Sequence, residues 1–149
     1  MNAIAYLLSV LTLCLASCAA FGQSLEHRAL ITTAALEHGI DPNLMLAIAK
    51  VESSFNPHAK GALGEIGLFQ LRPNFHRGAR EGDVRGNVRI AARYLAFVRS
   101  RCRAVYGDAW FVCFNHGPYH RVQNPKATAY FRRVTHELRK RGVSFATVP

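Results

Sequence analysis

Between residues 24 and 140 the apolar positions recur at spacings of three and four, and they are broken by glycine, proline and short Asn/Asp pairs. No strictly alternating apolar run is long enough for a central strand, so the pattern predicts consecutive helices. The first is expected over residues 24–38, capped by Ser24 and stopped by Gly39. Asp41-Pro42 then reads as a cap followed by proline in the first helical position, opening a helix over 42–54. Residues 56–66 read as a compact loop or short hairpin, and 67–72 as a short helix ended by Pro73. The longest helix is expected over 83–105, with Val88, Ala91, Ala92, Leu95, Val98, Cys102 and Val105 as its core face. A helix over 109–114 follows. Asn124-Pro125 opens a last helix to about residue 141, with Tyr130, Phe131, Val134 and Leu138 turned inward. The fold class is therefore mainly α.

Residues 1–22 differ from the rest, since no charged side chain precedes Glu26 and residues 3–16 are apolar. This reads as a signal peptide, the apolar run being shorter than the roughly 20 residues of a membrane span. Two processing routes fit. Ala20-Phe21-Gly22 before Gln23 has the form of an ordinary cleavage site, which gives a periplasmic protein. Leu15-Ala16-Ser17-Cys18 resembles a lipobox, which gives a lipoprotein anchored through Cys18. The remainder divides into one domain over 23–142 and a tail over 143–149. Export leaves Cys102 and Cys113, an even count expected to pair as a disulfide, two buried thiols being the other possibility.

Charge narrows the partners. The chain of 149 residues has a formal net charge of +10, which suits a polyanion such as nucleic acid, an anionic membrane or an acidic wall polymer. No zinc module or RNP-type aromatic pattern is present, so nucleic acid is not expected. Arg85, Arg89 and Arg93 read first as a solvated helix face.

The candidate chemistry starts from nine carboxylates. Asp41 and Asp83 stand at helix starts, where capping accounts for them, and Glu26, Glu37 and Glu137 fall in polar stretches. Glu52 stands apart, because Leu44, Ile48 and Glu52 are spaced by four and share an apolar face. Burial there raises a carboxyl pKa toward that of a working general acid, although a structural pairing with arginine would also explain the position. Glycosidases commonly use two carboxylates. No second one stands out, although Glu65 is near in sequence. A single carboxyl suffices if the sugar supplies its own nucleophile.

Glu52-Ser53-Ser54-Phe55-Asn56-Pro57, followed by Gly64-x-x-Gly67-Leu68-Phe69-Gln70-Leu71-x-Pro73, resembles the first motifs of the SLT-type lytic transglycosylases, relatives of goose-type lysozyme. Asn87-x-x-x-Ala91-Ala92-Arg93-Tyr94-Leu95, Phe114-Asn115-His116-Gly117-Pro118 and Tyr130-Phe131 with Val134 resemble the later ones, in order, over roughly residues 27–138. The resemblance implies a lysozyme-like α-helical domain with a substrate groove for peptidoglycan glycan strands. It implies non-hydrolytic cleavage of the MurNAc–GlcNAc β-1,4 bond to 1,6-anhydro-MurNAc by a monomer without metal or cofactor. Glu52 is the implied catalytic residue. Ser53, Phe69, Gln70, Phe114, Asn115 and Tyr130 are the implied substrate-binding set, with Tyr130 orienting Glu52. Core packing for Phe69 and Phe114 and a helix-end role for Asn115 are the bland alternatives. Phe114 in place of tyrosine, His116 in place of a small residue and Lys126 in place of glutamate depart from the family pattern. The small domain suggests local wall opening for a secretion or conjugation apparatus. A hydrolytic muramidase and a non-catalytic cationic wall-binding protein are the competing functions.

Overall fold

The structure is a computed structural model that describes residues 3–119 and 125–144. Among the described residues five α-helices follow one another: α1 (Ala3–Glu37), α2 (Pro42–Ser53), α3 (Val84–Tyr106), α4 (Cys113–His116) and α5 (Pro125–Lys140), with a 3-10 helix at Gly107–Val112 before α4. No strand forms among the described residues, only isolated bridges pairing Ile66 with Lys60 and with Leu71. The mainly α expectation is met.

Local chemistry sets these elements. Asp41 accepts the Asn43 N–H at 2.8 Å and Pro42 follows it, so α2 starts where expected. The Asp83 carboxylate caps α3 through the Gly86 N–H at 2.8 Å. The core faces of α2, α3 and α5 meet around fully buried Ile48, Leu95, Val98, Tyr130, Val134 and Leu138. In this arrangement α2 packs against α1 and α5, and α3 packs against α1 and the 3-10 segment.

Four expectations need correction. Helix α1 begins at Ala3, not Ser24, because the Ala- and Leu-rich segment holds no proline and runs straight through. Residues 67–72 are a tight loop instead of a helix. Gly67 and Gln70 have φ of 76° and 46°, and Ile66 and Leu71 exchange both backbone hydrogen bonds at 3.0 Å. The helix expected over 109–114 is split between the 3-10 turn and α4. Val105 lies past the end of the core and is 71% exposed. Asn124 and residues 145–149 lie outside the described residues. Among the described residues no helix is long and apolar enough to cross a membrane.

Cys102 on α3 and Cys113 at the start of α4 form a disulfide, as expected. It ties the Phe114–Asn115 segment to the longest helix. Serine at both positions is expected to lower stability by about 2–3 kcal/mol by the loop-entropy estimate, measured by urea unfolding. An unchanged midpoint would show that packing alone holds α4.

Candidate active site

Glu52 is the last but one residue of α2, and the chain behind it turns sharply. Ser54 and Phe55 both take left-handed φ, 54° and 65°. Such a conformation costs about 1–2 kcal/mol per non-glycine residue. The turn is held by Ser54 N–H donating to Lys50 O at 3.0 Å and by Arg28 stacked 4.2 Å from the Phe55 ring centre. It stops the helix with Glu52 at the wall of a groove of about 590 Å³. Phe69, Gln70, Phe114, Asn115, His116, Glu65, Arg72 and Arg133 also line this groove.

The Glu52 carboxyl is largely enclosed, and its Oε1 is closed to solvent. Burial raises its pKa above the ordinary carboxylate value, and the negative charge of Glu65 adds to that. The Tyr130 hydroxyl, the Arg133 guanidinium and the Asn115 side chain act in the opposite sense, and burial wins. Tyr130 is fully buried on α5, behind the groove instead of along it. Its own pKa is driven well above the usual tyrosine value, first by burial and then by Glu52, so it remains an O–H donor. Glu52 Oε1 and Tyr130 Oη approach closely enough to shift one another, yet neither makes a hydrogen bond of full geometry.

The other expected residues fall into two groups. Phe69 and Phe114 meet edge to face at 6.3 Å and form the groove floor. Asn115 is exposed beside Glu52. Gln70 spends both amide N–H groups on Ala59 O at 3.1 Å and Gly67 O at 3.0 Å, which leaves its carbonyl as the only group for a ligand. Ser53 is not a groove residue. Its hydroxyl sits at 3.2 Å from Ala49 O and 2.9 Å from Leu68 O, tying α2 to the loop.

Glu65 is the second carboxylate of the groove, and it is fully engaged. Its Oε1 accepts from Arg72 Nε and Nη2 at 2.8 and 2.7 Å, and its Oε2 accepts from the Leu63 N–H at 2.9 Å. Burial opposes its charge, but backbone N–H groups and Arg72 outweigh that and hold its pKa below the ordinary value. A Cβ at Gly61 would lie 2.3 Å from this carboxylate, so the pairing requires glycine there. Among the described residues no cluster of His, Cys, Asp and Glu is suited to a metal.

Arg133 escaped the sequence analysis. Its signal was its position three residues after Tyr130, on a neighbouring part of the same helix face. Its guanidinium lies 5.7 Å from the Tyr130 ring centre and opens into the groove. The groups facing Glu52 are Tyr130 and Arg133 from α5, Asn115 from α4 and Glu65 from the loop, and of these only Arg133 brings positive charge. A general acid loses activity as pH rises through its pKa. Arg133→Gln is therefore expected to move the alkaline limb of the kcat/KM profile to higher pH, with Arg133→Lys restoring it. An unmoved limb would remove Arg133 from the control of Glu52.

A family model described as "Transglycosylase SLT domain" matches residues 29–135. The chain is 29% identical over 86 residues to membrane-bound lytic murein transglycosylase E of Buchnera aphidicola, a match that covers 48% of this chain and 39% of that protein. It is 48% identical over 85 residues to membrane-bound lytic murein transglycosylase C of Photorhabdus laumondii, over 48% of this chain and 24% of that protein. The matches thus span well under half the length of these relatives. Among solved structures, the lytic transglycosylase Slt of Pseudomonas aeruginosa, in an inactive mutant form, aligns with a TM-score of 0.65 and 20% identity. That alignment covers 75% of this chain and 23% of the other, and it shows a shared fold.

Proposed function

The chain belongs to the transglycosylase SLT family, and from that premise we propose that it is a peptidoglycan lytic transglycosylase leaving 1,6-anhydro-MurNAc ends. One observation carries this. The groove holds a single carboxyl that burial keeps protonatable, Glu52, while Glu65 is locked as a carboxylate on Arg72. Hydrolysis would ask a second carboxylate to activate water or attack the sugar. Both Glu65 oxygens already accept hydrogen bonds, and these with Arg72 make it a weaker base. In the proposed reaction Glu52 gives its proton to the bridging oxygen as the bond from MurNAc C1 to that oxygen breaks. The carboxylate left behind takes the proton of the C6 hydroxyl, and O6 bonds to C1. Glu52 ends protonated and no water is consumed.

Tyr130 and Asn115 act on Glu52 in both states. The Gln70 carbonyl accepts from a sugar N–H or O–H, and Phe69 and Phe114 form an apolar floor. The uncharged leader-like segment and the disulfide support an envelope location, either periplasmic or anchored through Cys18. The +10 charge suits the anionic wall, which is where a secretion or conjugation apparatus would need a local opening. Chromatography of digested sacculi tests the reaction: anhydro-muropeptides are expected, and reducing ends in their place would make the protein a muramidase.

A further inference from the structure

The groove that holds Glu52 also carries two large, exposed aromatic rings. Phe75 is 75% exposed and Tyr119 is 84% exposed, and both line the groove. Neither falls within the motifs that carry the family resemblance. Leaving a phenylalanine ring in water forgoes about 1.5–3 kcal/mol of burial, so two such rings on one cavity wall point to a ligand.

Phe75 sits on a turn closed by its own N–H to Arg72 O at 3.0 Å and by the His76 N–H to the same oxygen at 2.8 Å. The adjoining His76 ring packs edge-on against Tyr94 at 4.8 Å. Tyr94 in turn contacts Phe114 at 5.6 Å, which contacts Phe69 at 6.3 Å. A run of ring contacts thus leads from Phe69 to His76, the residue next to Phe75. Tyr119 stands close enough to Tyr94 to affect its ionisation. Phe97 stacks on Tyr94 at 6.1 Å and has Arg101 at 5.7 Å, so it braces the rim instead of offering a free face.

We propose that Phe75 and Tyr119 form an outer saccharide subsite, which packs on the C–H face of a pyranose ring of the glycan strand away from the cleaved bond. The proposal rests on the groove being a glycan groove. Phe75, Tyr119 and Glu52 line one groove, which selects the same polymer as the occupant. An aromatic ring presents an apolar face whose contacts suit the axial hydrogens of a sugar.

The test uses the Glu52→Gln protein, which holds ligand without turnover, titrated calorimetrically with β-1,4-linked GlcNAc oligomers of increasing length. Affinity is expected to rise when the oligomer becomes long enough to reach the rim. Phe75→Ala and Tyr119→Ala should each reduce that gain about five- to tenfold while leaving the shorter oligomers unaffected. Phe75→Tyr should keep the gain. A gain that survives both alanine variants overturns the subsite, as does an equal loss for every length, which would mean a general disturbance. If the protein binds no oligomer of any length, the glycan-groove reading falls and the subsite with it. Light scattering at the same concentrations adds one more outcome: a dimer that Phe75→Ala dissolves would assign the rings to a second copy of the chain and reject the sugar.

Discussion

Glu52→Gln is expected to end wall clearing, with the rate falling by about a thousandfold or more. A positioned general acid supplies roughly two to four orders of magnitude, and here one carboxyl serves both as the acid of bond cleavage and as the base of ring closure. Glutamine keeps the shape and can exchange no proton. The fold should not suffer. The carboxyl is enclosed, and its raised pKa reports that its charged form is disfavoured there. Because the folded-state pKa lies above the unfolded one, the contribution of Glu52 to stability is fully present below the unfolded value and is lost as pH rises through the folded one. The neutral amide has no such dependence. The variant should therefore melt at least as high as the parent, with a larger advantage at pH 8 than at pH 4, below the ordinary carboxylate value. Release of dye from labelled sacculi, together with thermal melts at both pH values, checks the two halves separately. Clearing at the parental rate would leave a wall-binding protein in place of an enzyme.

The sequence was most legible where one helix face decides the structure. Asp41-Pro42, the spacing of Leu44, Ile48 and Glu52, and the periodic face of α3 each follow from local capping or helical period. The disulfide followed from counting cysteines in a chain that reads as exported. The turn over 67–72, expected as a helix, was not legible, because its shape is set by side chains reaching backbone groups far along the chain. Gln70 bonds to Ala59 O eleven residues back, and Ser53 to Leu68 O fifteen residues on. Spacing along the sequence cannot show which way those side chains turn. For that reason Ser53, adjacent to the acid, was expected in the groove and serves instead as a tie. Tyr130 stands close to Glu52. The depth of Tyr130 behind the groove depends on the packing of α5 against α2, a tertiary fact. Arg133 was hidden for a simpler reason, since one more arginine on a basic helix looks like solvated surface.

Asn87→Ala is expected to lower stability by about 1–3 kcal/mol, because it leaves the buried Phe69 N–H without its partner and takes one of the two hydrogen bonds from Ile66 O, which keeps the Leu71 N–H. Asn87 is a rare buried polar residue, 2% exposed on α3. Its Oδ1 accepts the Phe69 N–H at 3.0 Å and its Nδ2 donates to Ile66 O at 3.0 Å. Both partners belong to the loop that carries Phe69 and Gln70 into the groove. Gly67 completes the fit, since a Cβ there would lie 2.6 Å from Nδ2 and its φ of 76° disfavours other residues. Asn87→Asp separates the two bonds, because a carboxylate still accepts from Phe69 N–H but can only repel Ile66 O. Its loss should therefore ease at acid pH, where protonation restores a donor. Activity should fall further than the folded fraction alone requires, because the floor and the Gln70 carbonyl move relative to Glu52. Urea unfolding and a turnover assay on the same samples measure both effects. A loss within about 0.5 kcal/mol, the usual range for surface changes, would mean that the Ile66–Leu71 pairing and the Ser53 tie hold the loop without Asn87.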